Sequence, residues 1–225
     1  MTGAPRITLS FDNGPEPEVT PAVLDVLRAR GLRATFFVLG HKLAAHRAVA
    51  ERAHAEGHWI GNHTWHHAGP LGGMPDDDAV AEIARTQDLI GDLSHPDRLF
   101  RPQGGGGVLG QHLLNGAALD HLVRHRFTVA LWNAVPGDFR DPEGWVDRAL
   151  SMCRGPNPVA PDSVALVLHD LPNGAMRHLD RFLGRLADAG AGFAQDFPDS
   201  CLPLRRGADA GGVARYVTHS TGAAA

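Results

Sequence analysis

Apolar and polar positions alternate along this chain in blocks that predict short buried strands separated by longer helices. The run RITLSF is typical of a strand, and the segment TPAVLDVLRARG that follows it is typical of a helix. Thr20 is suited to cap that helix, Pro21 to occupy its first position and Gly31 to end it. The same reasoning predicts strands at 6–11, 33–39, 58–62, 98–100, 126–132 and 163–169, and helices at 20–31, 41–57, 76–92, 141–153 and 174–189.

This alternation predicts parallel βα units and therefore an α/β protein. Strands that are apolar on both faces fit a barrel or a doubly wound sheet, and periodicity does not separate the two. In either fold, the functional groups gather at the carboxyl ends of the strands. Side chains able to carry chemistry do follow the predicted strands, at Asp12, Asn13, His63, His67, Arg101, Asp138 and His169.

The length and composition indicate one domain with its own core. The chain has 225 residues, of which 43% are hydrophobic and 20% charged, as in an ordinary globular protein. We assign residues 1–204 to this domain. Residues 205–225 are mostly small and polar, and they predict a flexible C-terminal tail.

The net charge, the cysteine count and the N-terminal sequence limit the binding partners and the cellular location that the sequence predicts. The net charge of −4 gives no electrostatic reason to expect nucleic acid or an anionic membrane as a partner. Two cysteines are too few for a disulfide framework. The first residues lack the basic and apolar regions of a secretory signal, and the longest apolar runs are too short to span a bilayer. The sequence therefore predicts a cytoplasmic protein, with its oligomeric state left open.

The segment GNHTWHH after the third predicted strand contains candidate metal ligands. If this segment enters a helical turn, His63 and His67 are four residues apart and face the same way. His66, three residues after His63, is the competing second ligand. Two imidazoles suit a divalent metal ion, and a third ligand oxygen is available from Asp12 or Asn13 in the loop SFDNGP. An asparagine ligand carries no charge, so we expect weaker binding than with a carboxylate.

Five segments, in order, resemble the motifs of the polysaccharide deacetylases, the NodB-like family 4 of the carbohydrate esterases. They are SFDNGP, AEGHWIGNHTWHH, FRPQGG, WNAVPGDF and LVLHD. The resemblance spans about residues 6–195 and is most specific in the first two motifs. It implies a distorted (β/α)7-type barrel and metal-assisted removal of an N-acetyl or similar acyl group from an amino sugar or short oligosaccharide.

The resemblance also implies roles for the acid–base residues. Asp12 would be the general base and Arg101 would orient it. His169 would be the general acid that protonates the leaving amine, and Asp138 would hold that histidine and raise its pKa. The backbone N–H of Gly104 would bind the carbonyl oxygen, because Gly104 stands where the family has a tyrosine whose N–H does so.

The metal ligands implied by the resemblance are Asn13, His63 and His67. The ion expected is zinc, with cobalt and nickel as alternatives. Asn13 departs from the family's pattern, because it stands where the family has a ligating aspartate.

Further departures concern the substrate side of the site. Gln103 and Gly104 replace a proline and a tyrosine, Phe139 replaces a tryptophan, and Val135 replaces an aspartate. The glycine run at 104–107 suggests a more open or adaptable wall. The residues predicted to contact substrate are Trp65, Gln103 and Phe139, whereas Trp59, Trp132 and Trp145 are expected to pack in the core.

Three functions remain open from these residues. The first is metal-dependent deacetylation of an amino sugar, and the second is hydrolysis of a small cyclic amide or ureide with little or no metal dependence. The third is carbohydrate binding without turnover. Asn13 and the altered third motif favour the second and third. A base at Asp12 together with an acid at His169 favours turnover, since a binding protein has no need of both.

Overall fold

The computed structural model describes residues 6–154 and 163–218 of the chain. Its helices are α1 Val19–Ala29, α2 Gly40–Ala55, α3 Asp76–Ile90, α4 Gly116–Arg124, α5 Trp145–Arg154 and α6 Leu179–Asp188. Its strands are β1 Arg6–Asp12, β2 Thr35–Val38, β3 Trp59–Asn62, β4 Leu99–Phe100, β5 Thr128–Val129, β6 Ser163–His169, β7 Gly192–Ala194, β8 Leu204–Arg205 and β9 Ala208–Asp209.

The strands form one curved sheet in the order β6-β1-β2-β3-β4-β5-β8-β9, and β7 pairs with the first half of β1. All neighbours from β6 to β5 are parallel, and β8 and β9 add a short antiparallel edge. A parallel bridge between Ala134 and Leu166 connects the chain beyond β5 back to β6. This bridge closes the curved sheet, so the predicted distorted α/β barrel is confirmed.

The core lies on both sides of the sheet. Between the sheet and the surrounding helices, the β1 residues Ile7, Leu9 and Phe11 pack in the same cluster as Leu27 of α1 and Phe182 of α6. A smaller interior cluster contains Phe37, Leu99, Ala130, Ala165, Phe197, Cys201 and Leu202. Because apolar side chains pack against both faces of the sheet, the strand sequences are continuous apolar runs and do not alternate between apolar and polar residues.

Two elements differ from the sequence prediction in ways that matter for the site. Helix α4 was not predicted, although the Asn115 side chain caps it by accepting the N–H of Ala118 at 2.8 Å. The predicted strand 126–132 is regular only at Thr128–Val129. Beyond β5, the Leu131 N–H donates to the Cys201 carbonyl, and the chain then turns to meet β6.

The predicted flexible tail does not fit residues 205–218. Val213 is buried, and the backbone of Leu114 exchanges hydrogen bonds with Tyr216 (3.1 Å) and Thr218 (2.8 Å). Buried apolar side chains and backbone hydrogen bonds therefore hold this segment against the domain, although most of its residues are small and polar. The predicted boundary at residue 204 falls inside this packed region, and residues 219–225 lie outside the described residues.

No helix in the described part of the chain is both long enough and apolar enough to cross a bilayer.

Candidate active site

The parallel pairing of β1 with β6 brings the predicted base and acid together. Asp12 is the register partner of His169, and both residues end their strands. Both side chains line one cavity of about 240 Å³ at the carboxyl ends of the strands. This is the edge at which α/β barrels carry their sites.

Arg101 fixes the Asp12 carboxylate from inside the barrel. Its guanidinium is fully buried, donates to Asp12 Oδ1 at 2.8 Å and to Ser10 Oγ at 2.7 Å, and lies 4.0 Å from the Phe37 ring centroid. Burial alone would raise the pKa of Asp12, but the positive charges of Arg101 and His169, together with the hydrogen bond from Arg101, outweigh burial and lower the pKa. Asp12 is thus an ionised base, with Oδ2 not engaged by Arg101.

Asp138 holds His169 by two contacts. The carboxylate of Asp138 accepts the His169 backbone N–H at 2.7 Å and the His169 Nδ1–H at 3.0 Å, and the Phe139 ring packs 4.8 Å from the imidazole. Burial alone would lower the pKa of His169, but the hydrogen bond and charge of Asp138 reverse that effect and raise it. His169 therefore retains its proton at a higher pH than an ordinary histidine.

The two histidines predicted as ligands come together through a loop, not through the helical turn that their spacing suggested. Thr64 and His67 have positive φ angles of 71° and 58°, and the His63 and His67 ring centroids lie 4.9 Å apart. The carboxylate of Glu82 on α3 accepts the backbone N–H groups of Trp65 and His66 and thereby holds this loop. Glu82 was missed by sequence reasoning, since an acidic residue in the middle of a helix gives no signal.

His66, the competing second ligand, is exposed and paired with Glu82 through its Nδ1 at 2.6 Å. It lies outside the lining of the cavity, whereas His63 and His67 lie in it. The alternative pair of His63 and His66 is therefore not supported.

Both cavity histidines are suited to donate lone pairs. The Nδ1 of His63 donates to the Arg101 carbonyl at 2.7 Å, which leaves Nε2 without a proton and 3.6 Å from Asp12 Oδ2. Burial lowers the pKa of His63, and burial with the adjacent His63 lowers the pKa of His67 to about 3. Both imidazoles are neutral near pH 7, as metal ligands must be.

Asn13 completes a donor set that fits a divalent cation. Asn13 lies in the cavity lining with a φ of 76°, and its buried Oδ1 has no hydrogen-bond partner. A buried carbonyl oxygen without a donor is costly unless another group satisfies it. Among the described residues, no three His, Cys, Asp or Glu side chains form a group that could hold a metal ion.

The substrate side of the cavity only partly matches the prediction. Gln103, Gly104 and Phe139 line the cavity, and Gln103 Oε1 is buried without a partner. Trp65 does not line it. The Trp65 ring packs against Gly40, and the Arg85 guanidinium lies 4.2 Å from its centroid. The prediction of Trp65 as a substrate contact is therefore not supported.

Trp132 packs in the core, as predicted, and it also forms part of the cavity wall. Its indole N–H donates to the Gly107 carbonyl at 3.0 Å, and its ring lies so close to Gly104 that a Cβ there would approach it to 2.4 Å. The ring thus reaches the cavity because residue 104 has no side chain. Sequence reasoning placed Trp132 within a strand and had no signal that the strand ends before it.

The chain that carries this site matches a known protein family. Residues 1–118, more than half of the chain, match the family model described as polysaccharide deacetylase. The chain belongs to the polysaccharide deacetylase family. This relationship confirms the resemblance seen in the sequence motifs, while the roles of the individual site residues stay predictions.

Relatives within the polysaccharide deacetylase family share both sequence and fold with the chain. It is 32% identical over 187 residues to peptidoglycan-N-acetylmuramic acid deacetylase PdaC of Bacillus subtilis, covering 82% of this chain and 36% of PdaC. It is 25% identical to a family 4 carbohydrate esterase of Streptomyces lividans solved with acetate, with a TM-score of 0.71 over 88% of this chain and 96% of the other. The chain spans only about a third of the length of PdaC.

Membership of the polysaccharide deacetylase fold does not by itself imply turnover. The family 4 pseudoenzyme BA3943 of Bacillus anthracis has the same fold, with a TM-score of 0.70 at 16% identity, covering 90% of this chain and 69% of the other. Activity must therefore be argued from the residues of the site.

Proposed function

We propose that this protein is a zinc-dependent hydrolase that removes an N-acetyl group from an amino sugar or short oligosaccharide. The observation that carries the proposal is the composition of one cavity. It contains an ionised base at Asp12, a proton-bearing acid at His169, and three neutral donors at Asn13, His63 and His67. Relatives named as deacetylases of peptidoglycan and of chitooligosaccharides support this choice of substrate class.

The chain's own groups divide the work of amide hydrolysis. Asp12 Oδ2 accepts a proton from the attacking water, while Arg101 holds Oδ1 and keeps the carboxylate oriented. His169 donates a proton from Nε2 to the leaving nitrogen, because its Nδ1–H is held by Asp138. The N–H of Gly104, which has no acceptor among the described residues, donates to the carbonyl oxygen.

Zinc would be held by Asn13, His63 and His67, and when bound it supplies a Lewis acid that polarises the acyl carbonyl and activates water. Gln103 Oε1 lies in the same cavity and accepts a hydroxyl or N–H of the sugar, which satisfies an otherwise unpartnered buried acceptor.

Chelation tests the metal dependence of this reaction. We expect acetate release from N-acetylglucosamine oligomers to fall to background in EDTA and to return when zinc is added. His67→Ala should behave like the chelated enzyme, whereas His54→Ala, at an exposed histidine on α2, should keep full activity.

Two outcomes of the chelation test would contradict the proposal. Full activity in EDTA, with no zinc by elemental analysis, would favour the metal-independent hydrolysis of a small amide. Saturable sugar binding without acetate release under any metal condition would favour a binding protein.

The pH profile tests the roles of Asp138 and His169. Because the pKa of His169 is raised, its acid form persists above the usual histidine range, and activity is lost only as pH rises through that raised pKa. Asp138→Asn removes the charge that raises the pKa, so the basic limb of kcat/KM should move to lower pH. An unchanged basic limb in Asp138→Asn would show that another group sets it.

A further inference from the structure

Four arginines converge on a second pocket, at the amino ends of the strands. The pocket has a volume of about 490 Å³ and is lined by Pro96, Arg98, Arg124, His125, Arg126 and Arg206. Arg98 directly precedes β4, whereas Arg101, which holds the predicted base, directly follows it. The pocket therefore lies at the opposite ends of the strands from the catalytic cavity, and the two share no lining residue.

Three of the four arginines in this pocket have no carboxylate partner. Arg206 is paired with Asp97 at 2.6 Å. In the described part of the chain, no carboxylate lies within ion-pair distance of Arg98, Arg124 or Arg126. Because the whole chain carries a net charge of −4, this positive cluster is a local feature and not a consequence of overall composition. Like charges that share a pocket repel one another, so an anion between them is favoured.

The backbone holds three of these arginines in a conformation that side chains rarely adopt. Arg98, Arg126 and Arg206 have positive φ angles of 46°, 58° and 48°. Thr128, two residues after Arg126, connects the three turns. Its N–H donates to the Arg98 carbonyl at 3.1 Å, and its Oγ1 accepts the Arg206 N–H at 3.0 Å. Unfavourable backbone conformations concentrate at functional sites, and connected turns fix the positions of the cations before a ligand binds.

We propose that this pocket binds an oligophosphate anion, a linear chain of two or more phosphoryl groups. The planar N–H donors of a guanidinium match phosphate oxygens in pairs. Three unpaired guanidinium groups exceed the charge of one carboxylate or one phosphate, whereas a triphosphate carries enough charge and enough oxygens for all three. The inference goes beyond the proposed function and does not depend on it, because the catalytic cavity contributes no residue to this pocket.

Titration with inorganic triphosphate tests the inference, by calorimetry on the full chain without added metal ion. We expect triphosphate to bind about tenfold more tightly than inorganic phosphate, because it contacts more of the guanidinium groups. Its affinity should fall as sodium chloride is added. Equal affinities for the two anions, or no binding of triphosphate, would overturn the inference.

ATP, titrated in parallel, identifies the source of the phosphate chain. Equal affinities for ATP and inorganic triphosphate would assign recognition to the phosphoryl groups alone, and tighter binding of ATP would identify a nucleotide; both results support an oligophosphate site. A single-stranded oligonucleotide that binds more tightly than triphosphate would overturn the inference, because the pocket would then be part of a nucleic-acid surface.

Removal of two unpaired charges assigns the binding to this pocket. The double variant of Arg124→Gln and Arg126→Asn should bind triphosphate about tenfold more weakly than the wild type. Asparagine is chosen at residue 126 because it tolerates a positive φ. The matched control combines Arg28→Gln and Arg181→Gln, at exposed arginines on α1 and α6 that do not line the pocket, and should keep the wild-type affinity.

Asp97→Asn should change the affinity in the opposite direction. It removes the negative charge that is paired with Arg206 and keeps the size of the side chain, so triphosphate should bind about threefold more tightly. Unchanged affinity in both Asp97→Asn and the arginine double variant would show that triphosphate binds elsewhere and would overturn the inference. These measurements involve no acetate release, so failure of the deacetylase assay and failure of this inference are distinguishable.

Discussion

The Asp12→Ala variant is expected to lose about 10²–10⁴-fold in kcat/KM, the range typical of removing a general base. It is also expected to lose about 3–5 kcal/mol of unfolding free energy, as when one partner of a buried ion pair is removed. The reason is Arg101, which is fully buried and has Asp12 as its carboxylate partner among the described residues. Steady-state kinetics and urea denaturation measure the two effects.

A second substitution separates the catalytic loss from the structural one. Arg101→Met in the Asp12→Ala background removes the buried guanidinium that has lost its carboxylate partner. The double variant should therefore regain part of the lost stability while staying inactive. His169→Asn is the matched control. It removes the predicted general acid, and His169 has no buried arginine partner. Appreciable kcat/KM in a folded Asp12→Ala protein would contradict the assignment of Asp12 as the base.

The sequence was sufficient to predict which residues gather at the site. Asp12, His63, Arg101 and His169 each follow an apolar run, and parallel strands place their carboxyl ends along one edge. This argument needs only the order and direction of the strands. It does not need the strand lengths, which were the least accurate part of the prediction.

The parts that could not be predicted depend on contacts between distant segments. Glu82 holds the histidine loop from α3, and its role becomes visible only when α3 packs beside β3. Trp65, predicted to contact substrate, lies outside the cavity lining, and Trp132 lines the cavity in addition to packing in the core as predicted, for a similar reason. The position of Trp65 next to the metal motif does not predict the direction in which the loop points the Trp65 ring. In the structure Thr64 has a positive φ, and Trp65 lies outside the cavity lining.

Asn13→Asp is expected to tighten zinc binding on the order of 100-fold. Asn13 Oδ1 is a buried acceptor without a donor, so replacement by a carboxylate leaves the ligand oxygen in place and adds one negative charge beside a divalent ion. At an effective dielectric constant of about 20, unit charges about 4 Å apart attract by about 4 kcal/mol, and the cost of burying the new charge offsets part of this gain. Competition with a zinc indicator measures the affinity.

Gln111→Glu is the matched control for charge, because it makes the same amide-to-carboxylate change at an exposed residue outside the cavity. Its zinc affinity should equal that of the wild type. Peptide mapping of the wild-type protein must show intact Asn13, since the Asn13-Gly14 sequence is prone to deamidation. If Asn13→Asp and the wild type bind zinc equally, Asn13 is not a ligand, and the unpartnered oxygen serves the substrate instead.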